Sequence, residues 1–543
     1  MKKLYLLLFL SMTTITFAQE DAWVYFKEKS NAQTYLDSPL KMLTQRAIDR
    51  RANQKIPFDL KDIPIDQTYI NNIKSVAGIT VMAKSKWLNA LHIRGTQTAI
   101  NGLKTIDFVD KVDFANKSLN GTGRFIQSNK INRLTQARAI TKVEETAVNY
   151  NYGASSNQIT MLKGDLLHQQ NYTGSGNVIA ILDAGFPGVN TTAPFKRLRD
   201  NNQILGGYDF VNRKEDFYAS SSHGTSVLST MGGYIDNSLV GTAPDASFYL
   251  FITEDENAEN PVEESLWVEA AEKADSLGVD IINSSLGYFD FDNSSYSHTY
   301  AQMDGQTTFI SRGAEIAFSR GMMVVISAGN SGSSINPHIA APADAVSVLT
   351  IGAVNSSKSR VSFSSIGPSY DSRIKPDVMA QGFATVLSNE FGQITTANGT
   401  SFSSPVIAGM VACLWQALPD KTNKEIRAII VESADRFTSP DNNYGYGIPD
   451  FSLAVAKNLT ARDFIANDFY IYPNPTKDLV QFPVPKDFNN GKVYFYSTLG
   501  KKVLEENINK ESSFISLQSL SNGVYFYTFE TDSFVKNGKI IKQ

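Results

Sequence analysis

Four residues stand where an α/β sheet could bring chemistry together. Of the five histidines, at 92, 168, 223, 298 and 338, only His223 opens a small-residue run at a helix start, SSSHGTSVLSTMGG. Gly224 and Thr225 allow close backbone approach there, and Val227, Leu228 and Met231 can pack inward; the other four histidines read as surface or packing residues. Asp183 ends the apolar run VIAILD and is followed by Ala184 and Gly185. An Asp at the carboxyl end of a buried parallel strand lies on the edge where such sheets hold reacting groups. Asn330 follows a second apolar run, VVISAGN, on the same edge. Ser401 lies in NGTSFSSP, ahead of VIAGMVACLWQAL, which reads as a helix start with Pro405 in its first turn. Each has a plainer reading alone, as a cap or a turn residue. Together they supply what a serine nucleophile needs: a base, a carboxylate to orient the base, and donors for an oxyanion. The donors would be the Asn330 amide and an unpaired N–H at the start of the Ser401 helix.

The elements that must position these residues form a strand–helix series. VIAILDAG, VDIINSSLG and MMVVISAGN read as buried strands; VEESLWVEAAEKADSLG reads as an amphipathic helix closed by Gly278, and GAEIAFSRG and TNKEIRAIIVESA as further helices. This predicts an α/β domain, a parallel sheet with helices on both faces. Before it, AWVYFKEK, GITVMAKSKWLNALHIRG and VDKVDF alternate with helical stretches in a small α+β pattern. After it, short Tyr-, Phe- and Val-rich strands split by turn residues predict a small all-β sandwich.

The chain order Asp183, His223, Ser401 separates the readings. Alpha/beta-hydrolases run Ser, Asp, His, and chymotrypsin-like enzymes run His, Asp, Ser; Asp, His, Ser is the subtilisin order. Residues 157–456 resemble the subtilisin (subtilase) family of serine proteases. The motifs are ILDAG at 181–185, HGTSV at 223–227, INSSLG at 282–287, SAGN at 327–330 and GTSFSSP at 399–405. The resemblance implies a three-layer subtilisin-like fold, the triad Asp183, His223 and Ser401, and Asn330 as oxyanion donor. It implies that a protein or peptide substrate pairs with an exposed strand edge, Ser284, Ser285, Leu286 and Gly287. Ser327, Ala328 and Gly329 would line the pocket for the residue before the scissile bond. Two places depart from the family pattern: Ala184 replaces a Thr or Ser, and Phe402, Ser403 and Ser404 replace the usual residues after the nucleophile. The loss of a hydroxyl at 184 is expected to loosen the hydrogen bonding around Asp183. The rival class is a catalytically inactive binding protein on the same fold.

The flanks suggest domains at 1–18, 19–150, 151–460 and 461–543. Lys2 and Lys3 before a short apolar core, with Ala18 at its exit, read as a secretory signal. Residues 19–150 sit where the family keeps an inhibitory, folding-assisting propeptide, and 119–150 read as a polar linker. YPNPTKD, LSNGVYFY and VKNGKIIKQ resemble the type IX secretion sorting domain of Bacteroidetes. That implies contact with the secretion machinery and export through the periplasm and outer membrane, to the medium or the cell surface.

Residues 19–150 carry 20 Lys and Arg against 13 Asp and Glu, while the whole chain has net charge −4. A basic first domain on an acidic remainder suggests electrostatic docking. The overall charge carries no nucleic-acid footprint, no stretch beyond the signal is apolar enough to span a bilayer, and a monomer is expected. One cysteine, Cys413, excludes a disulfide framework. No cofactor is required for this chemistry. The acidic run TEDENAENPVEE at 253–264 is compatible with a solvated loop, a structural calcium site, or selection of basic or extended substrates.

Overall fold

The computed structural model describes residues 19–120, 149–458, 471–482, 490–509, 513–531 and 535–543. The secretory signal and most of the 119–150 linker lie outside the described residues.

A seven-stranded parallel sheet organises residues 178–381. Its order is Val378–Gln381, Leu349–Val354, Met323–Ser327, Ile281–Ser284, Val178–Asp183, Ser247–Ile252, Ile204–Asp209. Every residue of Val178–Asp183, Ile281–Ser284 and Met323–Ser327 is buried, which is why these strands read as unbroken apolar runs. Helices Thr400–Ala417 and His223–Gly232 pack together on the sheet, and Val262–Leu277 packs with Phe309–Ser319. Thr400–Trp415 is buried all round, as expected of a helix apolar on every face.

The N-terminal domain is a four-stranded antiparallel sheet, ordered Ile79–Ser85, Ala90–Thr96, Gln19–Phe26, Val109–Phe114. Helices Gln67–Lys74 and Gln97–Gly102 close a core that includes Val24, Ile73, Leu91, Ile93 and Ile100. This domain docks on helix Val262–Leu277. The Glu272 carboxylate accepts hydrogen bonds from Ser85 Oγ (2.7 Å), the Trp87 N–H (2.9 Å) and the Lys86 N–H (3.0 Å). Trp23 Nε1 donates to Ser265 Oγ at 2.9 Å, and its ring stacks on Phe309. Gly278 ends that helix in the left-handed region, φ +81°, as the sequence predicts. Its polar face, however, is not solvated: Glu269, Glu272 and Asp275 are buried. The N-terminal domain is what covers them.

Docking is electrostatic in part, and in both directions. Arg46, Arg50 and Arg51 pair with Asp280 and Asp275 of the parallel-sheet domain, while Arg320 of that domain pairs with Asp59 and Asp62.

Residues 471–543 form a separate all-β unit. Four antiparallel strands lie in the order Lys502–Asn509, Asn490–Ser497, Gly523–Thr531, Val535–Lys542, and Leu479–Gln481 pairs with Phe514–Ser516. Val480, Phe482, Phe495, Ile515 and Ile540 share its core.

Candidate active site

Asp183 is the last residue of its strand and is fully buried. His223 is the first residue of its helix, and its Nδ1 lies 2.7 Å from Asp183 Oδ1. A carboxylate only accepts, so Nδ1 carries the hydrogen and Nε2 is the basic nitrogen. Oδ1 also accepts the Ala184 N–H at 2.8 Å, whereas Oδ2 has no hydrogen-bond partner among the described residues. The side chain at 184, a methyl group, supplies no donor.

Gly224 lets the two elements meet. A Cβ there would stand 2.5 Å from the Gly185 carbonyl oxygen and 3.0 Å from Asp183 Cβ. Gly224→Ala is therefore expected to shift Asp183 against His223 and to lower kcat at least about 100-fold, the scale of a 1 Å misplacement. Steady-state kinetics on the folded variant test this; near-normal kcat would show that the pair tolerates the methyl group.

The Asp183 charge raises the pKa of His223; burial opposes this, and the Asp183 hydrogen bond and the Glu256 charge add to the rise. A base must be unprotonated to act. Activity that depends on neutral His223 is thus expected to appear on the alkaline side of about pH 6.5, the ordinary histidine value. Glu256→Gln should move the acid limb of kcat/KM to lower pH; an unmoved limb would exclude a Glu256 contribution.

Ser401 is the second residue of helix Thr400–Ala417. The turn into the helix is made by Gly399 at φ +153°, a conformation that favours glycine. Pro405 is the sixth helical residue, one turn further in than the first-turn position the sequence suggests. Its missing N–H frees the Ser401 carbonyl from the helical ladder, and Ser285 Oγ donates to that carbonyl at 2.8 Å. Ser404 Oγ donates to Asn283 Oδ1 (2.9 Å), so the helix is tied to the end of strand Ile281–Ser284 twice. The turn that bears Ser401 is held by buried hydroxyls; Ser403 and Ser404 keep their helix close to the sheet. Ser401 Oγ itself lies 3.4 Å from the Ser285 carbonyl oxygen, a long hydrogen bond.

Asn330 is exposed and oriented. Its Oδ1 accepts the Thr400 N–H (2.9 Å) and the Thr400 hydroxyl (3.0 Å), and Thr400 Oγ1 accepts the Gly329 N–H (3.1 Å). Because the Thr400 N–H requires an acceptor, the amide oxygen must face it. The Asn330 NH2 is thereby turned away from Thr400, on the side of Gly399, whose Cβ position lies 3.7 Å from Nδ2.

A cleft of about 640 Å³ adjoins His223. Ala184, Ser221, Ser285, Leu286 and Gly287 line it, together with the acidic loop 254–259, Glu263 and Asp292. The expectation for Ser284 needs correction. Its strand is the fourth of seven, paired on both sides with Leu182 and Ile326, so its backbone is no free edge. Its buried hydroxyl accepts from Trp267 Nε1. Only residues 285–287, past the end of the pairing, border the cleft. Ser327 and Ala328 are buried, and Gly329 is half-buried at φ +98°. The other histidines serve packing: His92 bridges Asp21 and Ser265, His168 meets Tyr152 and the Thr242 carbonyl, His298 pairs with Glu264, and His338 stacks on Tyr300. Cys413 is buried and free. Among the described residues no group of three His, Cys, Asp or Glu side chains is arranged to hold a metal ion, and no helix is long and apolar enough to cross a membrane.

Comparison with known proteins agrees with this architecture. Residues 174–447 match the subtilase family, residues 21–153 the peptidase S8 propeptide domain of Bacteroidota, and residues 470–543 a secretion system C-terminal sorting domain. Subtilisin NAT of Bacillus subtilis subsp. natto is 30% identical over 371 residues, covering 66% of this chain and 88% of that protein. Subtilisin of Bacillus pumilus is 31% identical over 303 residues, covering 55% of this chain and 97% of that protein. The sorting domain marks the chain for export, to the medium or the cell surface, and the propeptide domain makes the full chain a zymogen. The chain belongs to the subtilase family of serine-type peptidases.

Proposed function

We propose that the chain is an endopeptidase that cleaves peptide bonds through an acyl-enzyme on Ser401. The observation that carries this is the buried Asp183 carboxylate bonded to His223 Nδ1 at 2.7 Å, which leaves Nε2 as the base. Ser401 Oγ attacks the scissile carbonyl carbon as its proton passes to Nε2. Asp183 holds the tautomer and stabilises the imidazolium that forms. The oxyanion accepts from Asn330 Nδ2 and from the Ser401 N–H; the Thr400 and Phe402 N–H groups are already bonded to Asn330 Oδ1 and the Gly399 carbonyl. One such donor is worth about 10²- to 10³-fold in kcat. His223 then protonates the leaving amine, the C–N bond breaks, and a water activated by His223 hydrolyses the acyl-enzyme. The acyl part of the peptide adds as a strand along residues 285–287, and residues 327–329 face the side chain before the cut.

A fluorophosphonate probe tests the assignment. The secreted protein should be labelled at Ser401 and Ser401→Ala should not; an unlabelled wild type that cleaves no peptide would overturn it.

A further inference from the structure

Six carboxylates line the cleft beside His223: Glu254, Asp255, Glu256, Glu259, Glu263 and Asp292. Among the described residues none of them forms a salt bridge. Several acids buried elsewhere are matched by cations: Asp275 by Arg50 and Arg51, Asp377 by Lys375 and Arg427, Glu269 by Arg213. Four of the six hold the loop in place. Glu254 accepts from Tyr288 and Thr253, Glu263 from the Asp255 and Asn260 N–H groups, Asp292 from the Glu259 N–H, and Asp255 from the Asn257 N–H. The Glu256 and Glu259 carboxylates accept no hydrogen bond from any described residue. Their negative charge meets the cleft without a counter-charge.

An independent feature says what enters. The same cleft is bordered by His223 and by the free backbone of residues 285–287. A peptide lying there for cleavage, as the proposed function has it, runs its acyl-side residues past the acidic loop. We propose that this cleft selects peptides with a lysine or arginine side chain on the acyl side of the scissile bond, paired with Glu256 and Glu259. Asp255 and Asp292, in the same cleft, add to the field that attracts it. Burial drives the Glu254 carboxyl up to about 8 and the Glu263 carboxyl up to about 9, with a neighbouring carboxylate adding to each rise. A cation brought into the cleft relieves that repulsion. A metal ion is the poorer occupant, because among the described residues no three acidic side chains are grouped to hold one, and the cleft is roomy enough for extended side chains.

The test uses the mature secreted enzyme and fluorogenic peptides matched except for Lys or Gln at the second, third or fourth residue before the cut. At one of these positions kcat/KM should favour Lys at least about tenfold. The ratio should fall toward one in Glu256→Gln/Glu259→Gln and in about 1 M salt, where exposed charges are screened. Using the ratio cancels any change in His223 basicity, since both peptides meet the same enzyme. A ratio near one at every position, or a preference that survives the double substitution, overturns the proposal. So does a calcium-dependent rise in thermal midpoint that the double variant loses, which would make the loop a metal site. Fluorophosphonate labelling of the same preparation separates the two readings. A labelled enzyme without the preference sinks only this inference, while an unlabelled one sinks the proposed function beneath it.

Discussion

Purified Ser401→Ala precursor is expected to keep residues 19–150 indefinitely, while the wild type sheds them, and its turnover of added peptide should fall by about 10⁶-fold. That is the size of the same loss in subtilisin. The reason for so large a loss is that, in the proposed function, Ser401, His223 and Asp183 act as a unit. Without Oγ there is no acyl-enzyme, and the remaining donors can only stabilise slow attack by water. The same logic fixes the combinations. His223→Ala should cost about as much as Ser401→Ala, and the pair together little more. Asp183→Ala should cost less, about 10⁴-fold, since a neutral imidazole remains able to take the proton in a poorer orientation. Self-processing is a sensitive readout, because a tethered substrate is present at high effective concentration. Intact mass over time, with the protein kept from other proteases, decides the matter. A Ser401→Ala chain that loses its N-terminal domain at the wild-type rate would exclude Ser401 as the nucleophile.

The triad candidates were legible for a physical reason. Asp183 and Asn330 lie where apolar runs end and Ser401 just before one begins, and an apolar run is the clearest signal a buried strand or helix gives. Strand Ser247–Ile252 has the same character (SFYLFI), although the sequence reading did not single it out. The sheet margins were harder to see. Ile204–Asp209 is a partly exposed margin strand with two glycines, and Val378–Gln381 is only four residues long. Neither has the pattern or length that announces a strand. Sheet order is the other thing a local pattern lacks. INSSLG looks like one edge strand, yet its first half is the middle of the sheet and only its second half is free. The Pro405 misreading had a similar origin, since proline at a helix start is common, and only the Ser285 hydroxyl shows what replaces its missing bond.

Helix Val262–Leu277 marks the deeper limit. Its carboxylates signal a polar face, and a polar face ordinarily means solvent. Here the partner is another part of the same chain, 180 to 280 residues away in sequence, and no periodicity records it. The charge difference between the two halves carried a trace of this docking, but not its reversal at Arg320, where the catalytic domain provides the cation and the N-terminal domain the acids.

That interface yields a second large effect. In the full-length Ser401→Ala background, which keeps the two domains together, Arg51→Ala is expected to destabilise the precursor by about 3–5 kcal/mol, and Arg46→Ala by about 0–1 kcal/mol. Both arginines reach aspartates across the same interface, so burial is what separates them. Arg51 is fully buried and donates to Asp62 at 2.8 Å and to Asp275 at 2.7 Å, themselves fully buried. Removing it leaves two carboxylates in a dry site with less counter-charge. Burial alone would raise the Asp275 pKa, and the charges of Arg51 and Arg50 more than offset it, holding the carboxyl below its ordinary value. A depressed carboxyl contributes its stability above about pH 4 and loses it only as the pH falls further, so the network is intact at neutral pH. Arg46, by contrast, has a side chain 44% exposed, and water can take over from Asp280. Urea midpoints of the two variants at pH 7 give the comparison, and equal shifts would mean that the buried network does not hold the domains together. A rescue sharpens it: Arg51→Met with Asp62→Asn removes one charge of each sign and leaves the Arg50–Asp275 and Arg320–Asp59 pairs in place, and should recover much of what Arg51→Ala loses, because the cost lies in stranded charge rather than in the absent ion pair.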